Sequence, residues 1–247
     1  MAGIERPWPS EQFRELLRVQ QAPDPVSAVT ELGRADTGAN PIKFFCTDGK
    51  TYWCKAPGNP HGDQSLLHEL IMPRVARWID APAAPSSLVM VSADLAEALG
   101  IRQGTWVGSL EIGDAHELTE QRHISKDDNS RRFPLLSALW QLCLGEDPQY
   151  VYEFSADNAV WSIDHGLWFD NFHHDTHPTH LRQAEPTVWE EPDRAPGYNL
   201  DVYVEIAAVL EQVSVSDLAG TFAGVPSDWQ LTSGIDRFDR GVSLATT

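Results

Sequence analysis

The order of elements predicts an α+β fold arranged as two lobes around a cleft. Three observations carry the expectation. Runs of β-forming residues dominate the early part of the chain and amphipathic helices the late part. A chain of 247 residues with 42% apolar content is long enough for one large domain or two lobes. A proline-rich connector at 81–86 leads into a strand and then a helix, which marks a crossing placed near residue 92. The first lobe is then an antiparallel sheet with one helix, and the second is mostly helical.

Taken in order, Ser10 caps a helix from Glu11 to Gln20 whose stripe is Phe13, Leu16 and Leu17, and Pro23 and Pro25 end it. A short apolar run, Val29 to Leu32, precedes a glycine-containing loop at 33–41, GRADTGANP. Ile42 to Cys46, a Thr47-Asp48-Gly49-Lys50 turn and Thr51 to Lys55 form a hairpin. Gln64 to Ile71 reads as a helix with Leu66, Leu67, Leu70 and Ile71 inward and Glu69 beside them. Pro73 either kinks that helix or opens a new one through Val75, Trp78 and Ile79. Leu88 to Val91 is a strand, and Ser92 and Gly100 bracket the helix Ala93 to Leu99.

Residues 104–112 read as strand and turn, and the polar stretch 122–132 as an exposed loop. Pro134 opens a helix, Leu135 to Leu144, that buries Leu135, Leu136, Leu139, Trp140 and Cys143 and delivers Asp147. Tyr150 to Phe154 and Ala159 to Ile163 form a second hairpin about Asp157-Asn158. After an irregular stretch at 184–199, Leu200 to Val213 is an amphipathic helix with Tyr203, Ile206, Ala207, Leu210 and Val213 on one face. Ser216 caps a further helix, and Ser227 a last one with Phe238, Val242 and Leu244 as apolar points.

A formal charge of −18 argues against nucleic acid and anionic membranes as partners, because both need positive surface. Cys46, Cys54 and Cys143 form no C-x-x-C pair, sit among apolar residues, and read as reduced, buried thiols of a cytoplasmic protein. No leader or apolar run of spanning length is present, so a soluble, intracellular chain is expected.

Four residues stand out chemically. The second hairpin is bracketed by Asp147, on a short acidic loop, and by Asp164, the first residue of Asp164-His165-Gly166. One Asp that orients an acceptor hydroxyl and one that holds Mg²⁺ against nucleotide phosphates are what phosphoryl transfer requires. Aspartate is also common at hairpin ends for its turn chemistry alone. Lys55 ends a strand and Glu69 follows on a helix, the pairing by which kinases aim an ammonium at phosphates. The loop containing Thr37 and Gly38 could wrap phosphates with its backbone N–H groups, but it matches neither the Walker spacing nor the kinase glycine triplet, and it equally reads as a surface loop. Residues 170–180 hold His173, His174, His177 and His180 with Asp170 and Asp175. They lack the helical spacing of a zincin and read more readily as a solvated loop than as a metal site.

With these residues in place, the chain resembles the HipA-like kinase group, within the kinase-like superfamily that also includes type II phosphatidylinositol 4-kinases. The resemblance runs from Gly33–Lys55 through Leu67-His68-Glu69-Leu70, the strand at 85–91, Gly104–Ser109 and Trp140–Asp147 to Ser162–Gly166, and ends in helices beginning Val225-Pro226. It implies a two-lobed protein-kinase-like fold that uses ATP and Mg²⁺ to phosphorylate an unidentified protein or small-molecule hydroxyl. Lys55 would bind the phosphates with Glu69 as brace, Asp147 would be the catalytic acid–base residue, and Asp164 would hold the metal. Thr37 and Gly38 would belong to the phosphate loop, and Val89 to Val91 would line the adenine side. The family's metal-binding asparagine, five residues after the catalytic Asp, is replaced here by Tyr152, with Gln149 or Asn158 as candidate substitutes. The basic residue often found beside that Asp is missing from Glu146-Asp147-Pro148-Gln149. The alternative is therefore a catalytically degraded, pseudokinase-like module that binds nucleotide or a partner.

Overall fold

The computed structural model describes residues 15–17, 20, 23–36, 38–169, 192 and 194–231. Strands and helices are mixed, as an α+β fold requires. Five strands close into a barrel in the order β1 (Val26–Arg34), β2 (Ile42–Cys46), β3 (Thr51–Lys55), β5 (Gly104–Leu110), β4 (Ser86–Val91). This corrects the wholly antiparallel sheet expected from the sequence: β1 runs parallel to β4 and closes the ring. Two register irregularities in β1 supply the bend, and closure leaves none of these strands as a bare edge.

Alternation along the strands sorts the side chains. Ile42, Phe44 and Cys46 of β2, Tyr52 and Cys54 of β3, Val89 and Val91 of β4 and Trp106 of β5 fill the barrel. Lys43, Trp53 and Lys55 have the opposite parity and face a cavity outside it. All three cysteines are free and buried.

The helix expected after the first hairpin is longer than predicted. It is α1 (Asp63–Ala76), unbroken through Pro73 and buried at all fourteen positions. A helix covered all round needs no solvent-facing stripe. Its Arg74 donates to the carbonyls of Thr221 and Ala223 at 2.9 and 2.6 Å. Ser92 caps α2 (Ala93–Leu99) through Leu95 N–H, and left-handed Gly100 ends it.

A change of sheet falls between Leu110 and Ala115, because β5 is hydrogen-bonded to both β3 and β4. Beyond it, β6 (Ala115–Leu118), β7 (Tyr150–Glu153) and β8 (Ala159–Ser162) form an antiparallel sheet. Ser162 is joined to the connector at Pro82 and Ala84 by backbone hydrogen bonds of 2.8 and 2.9 Å, which tie this sheet to the barrel side.

Helix α3 (Asn129–Leu142) begins earlier than the predicted start at Pro134, so residues 129–132 are helical rather than loop. Pro134 leaves the Ser130 carbonyl without its helical donor, and the N–H of Asn199 fills that place at 2.8 Å. Asn129, fully buried, donates to the carbonyls of His123 and Asn158 and accepts from Val160 N–H. Helix α4 (Val202–Leu210) buries Val202 and Ile206 rather than the wider face expected, and Ala207 is exposed. The cap of α5 (Val215–Thr221) is Ser214, in a reciprocal capping box with Asp217, not Ser216. Residues 225–231 form turns instead of a helix, anchored by Trp229, whose indole N–H donates to the Thr105 carbonyl. The predicted apolar points Phe238, Val242 and Leu244 lie outside the described residues. Among those residues, no helix is long and apolar enough to cross a membrane.

Candidate functional site

A cavity of about 320 Å³ lies between the barrel wall and the second sheet. Its wall is Lys43, Trp53 and Lys55 with Ser109 and Leu110. Its floor follows from register: Glu117 pairs with Val151 and His116 with Tyr152, so Ala115, Glu117 and Val151 face the cavity while Tyr152 faces the core.

Lys55 stands at the centre, 6% exposed. Its ammonium donates to Glu69 Oε2 at 3.2 Å and to Asp164 Oδ1 at 2.5 Å. Glu69, 2% exposed, also accepts from the backbone N–H of His165. The same carboxylate thus holds the lysine from β3 and the chain that carries Asp164. Gly166 makes the approach possible: a Cβ there would lie 3.3 Å from Ser65 Cβ and 3.5 Å from Lys55 Nζ. Asp164 itself sits in a left-handed backbone conformation, φ 54°, which Asp tolerates better than most residues.

The electrostatics follow from this sharing. Burial works against the Lys55 charge, yet Glu69 and Asp164 together hold its pKa above the ordinary value. Burial raises Glu69, and the half-shared ammonium does not offset it. Burial acts on Asp164 too, but the shorter contact with Lys55 leaves its carboxyl below the usual range. His165 is enclosed, with Nε2 3.0 Å from Ser162 Oγ and its ring edge-on to Trp168, and burial drives its pKa down to about 3.

Asp147 is exposed, also left-handed at φ 49°, and accepts from the Gln149 amide at 2.9 Å. Gln149 lines the cavity, while Asp147 stands outside the lining. The loop that bears Asp147 is fixed by Gly145, where a Cβ would fall 2.3 Å from the Trp140 ring.

The structure therefore brings Lys55, Glu69, Asp164 and Gln149 to one cavity. It does not bring Val89 and Val91: both are sealed inside the barrel, 0% and 1% exposed, because their strand parity turns them inward. The apolar contribution to the cavity comes instead from residues that include Trp53, Leu110, Ile112, Val151 and Ile163. Asn158 sits in the hairpin turn at the far end of β7 and β8 from the cavity, so it is no substitute for the missing metal-binding asparagine. Tyr152 is fully buried, donates to the Glu120 carbonyl at 2.7 Å and accepts from Arg122 N–H, and faces away from Asp164. Gly38, left-handed at φ 55°, lies in a loop pinched by a hydrogen bond from Ala35 N–H to the Pro41 carbonyl, and among the loop's described residues only those two line the cavity. Thr37 and the histidine stretch at 170–180 lie outside the described residues, and among the described ones no group of three His, Cys, Asp or Glu is placed to hold a metal.

Sequence reasoning missed Lys43, Trp53, Glu111 and Glu117. Lys43 and Trp53 share the parity of Lys55 across a hairpin whose turn was recognised, so that signal was available. Glu117 had none, since the hairpin of β7 and β8 was readable but the strand β6 that carries Glu117 was not. Burial, and then the fields of Asp164 and Asp147, raise its carboxyl above the ordinary value.

No protein-family model matches the chain, and no curated protein matches its sequence. Among solved structures, the chain is similar to the Helicobacter pylori proinflammatory kinase CtkA at 7% identity and a TM-score of 0.46, over 81% of this chain and 92% of that one. It is similar to the Golgi casein kinase at 12% identity and a TM-score of 0.35, over 86% and 76%. A structure of that kinase with Mn/ADP bound gives 12% identity and 0.33, over 87% and 77%. At TM-scores below 0.5 these likenesses carry no weight alone. What defines this α+β chain is a buried lysine shared by two acids at the edge of a cavity.

Proposed function

We propose that the chain is a kinase-like phosphotransferase that uses ATP and Mg²⁺ and acts on a protein or small-molecule hydroxyl, in the manner of the HipA-like group. One observation carries the reading: Lys55, Glu69 and Asp164, from a strand, a helix and a post-hairpin loop, meet at 3.2 and 2.5 Å beside an open cavity. The lysine holds two acids, and the second keeps 41% of its side chain exposed, so it is free to take a further ligand from the cavity.

The donors fit magnesium. Mg²⁺ takes oxygen ligands and is commonly held by one or two carboxylates, with phosphates and water supplying the rest. Asp164 offers a carboxylate and Gln149 an amide oxygen, and neither requires a three-acid cage. Bound there, the ion would neutralise charge on the transferred phosphoryl group. Lys55 would hold the phosphates, Glu69 would keep Lys55 and the Asp164 backbone in register, and Asp147 would accept the acceptor's proton as its oxygen attacks the γ-phosphorus and the bond to the bridging oxygen breaks.

Labelled γ-phosphate should pass from ATP to an acceptor in a cell lysate or to the chain itself. Asp147→Ala should lower the rate by roughly a hundred-fold or more while leaving ATP affinity intact. The second reading, a nucleotide-binding module without transfer, is favoured by the inward-facing Tyr152. Tight ATP binding with no transfer to any acceptor would establish it instead.

A further inference from the structure

The Lys55 end of the cavity suits phosphates, and the opposite end of the wall has a different chemistry. Lys43 Nζ lies 2.5 Å from Glu111 Oε1 and 4.5 Å from the centre of the Trp53 ring. All three residues line the cavity. Lys43 and Trp53 are cross-strand partners on β2 and β3, and Glu111 follows β5, where the chain leaves the barrel. The pair is only partly exposed, at 24% and 30% of the two side chains. Trp53 is two residues from Lys55 on the same strand face, so this polar corner is the next site along from the phosphate anchor.

A carboxylate oxygen and an ammonium side by side present an acceptor next to a donor. That is the complement of a purine edge: N6–H and N1 of adenine, or N1–H and O6 of guanine. Val151 and Ile163, on the facing side of the cavity, offer apolar surface to the flat ring. We propose that Lys43 and Glu111 read the base of a purine nucleotide through this charged pair, with Trp53 as the backing wall. The inference rests on the phosphotransferase reading for its nucleotide, and it assigns the base specificity to side chains. In the occupied site the lysine and glutamate exchange part of their mutual contact for the base edge, so a ligand that lacks the exocyclic group loses a partner and leaves a charge under-satisfied.

The test is equilibrium binding to the full chain with Mg²⁺ present. The probes are ATP, GTP, purine riboside triphosphate, which lacks the exocyclic group, and inorganic triphosphate. ATP and GTP should each bind about ten-fold or more tighter than purine riboside triphosphate. Glu111→Gln and Lys43→Met, both checked for folding by thermal melt, should collapse that ratio toward one, with the affinity for inorganic triphosphate measured in each variant as the reference for the change in cavity charge. Equal affinity of ATP and purine riboside triphosphate in the unaltered chain overturns the proposal and leaves the phosphate site standing. So does a ratio that survives both substitutions. Binding of none of the four probes overturns the phosphotransferase reading and this one with it.

Discussion

Lys55→Met should weaken MgATP binding roughly ten- to hundred-fold and destabilise the fold by about 3–5 kcal/mol. The two effects have separate causes. Binding suffers because the cation aimed at the phosphates is gone. Stability suffers because Glu69, 2% exposed, is left as a carboxylate with no ammonium while Asp164 stands beside it. Methionine keeps the stem and loses the charge, so packing changes little. Denaturant titration of Lys55→Met and of Lys55→Met/Glu69→Gln separates the two contributions. The double variant should recover much of the lost stability and none of the ATP affinity. If ATP affinity also returns, Lys55 is a structural residue and the phosphate role fails.

Acid should unfold the protein through His165. Its pKa falls from an ordinary value of 6.5 to about 3 in the folded chain. A base whose folded pKa is depressed binds its proton more readily when unfolded. Its contribution is therefore complete above about pH 6.5 and is lost as pH falls toward 3, at up to about 1.4 kcal/mol per pH unit and about 4–5 kcal/mol in all. Asp164, held low, adds a loss in the same direction below its ordinary value of 3.8; Glu69, held high, acts oppositely above 4.5. Both are present in a His165→Gln variant, and above pH 4, where Asp164 stays ionised, the difference between the two stability–pH curves reports the histidine. Urea unfolding from pH 7 to pH 4 should show the unaltered chain losing stability about one proton's slope faster than His165→Gln. Parallel curves would mean that His165 is already exchanging its proton in the folded state.

How far these features were legible in the sequence varies with how locally each is determined. The hairpin ending in Lys55 and the helix bearing Glu69 were readable because a turn signal and an apolar stripe fix them nearby in sequence. Asp164 followed from the strand β8 that leads into it. The ring closure of the barrel was not readable, since it depends on Val26 and Ser27 finding Val89 and Met90 across the intervening β2, β3 and α1. That same closure decides that Val89 and Val91 point inward, away from the base site assigned to them. The start of α3 was misplaced because Pro134 normally marks a first turn, and only the distant N–H of Asn199 lets it sit inside the helix. Tyr152 could be seen to be a poor metal ligand, but its anchoring to Glu120 and Arg122 required the second sheet, whose strand β6 carries no strong sequence signal.

Calorimetric titration of ATP into the intact protein, with Mg²⁺ and then with the metal chelated, addresses the central claim most directly. Saturable binding that needs Mg²⁺, and that loses its metal dependence in Asp164→Asn, is the predicted result. A folded protein that binds no ATP, or binds it equally well without metal and in Asp164→Asn, would contradict the assignment of this cavity to a nucleotide.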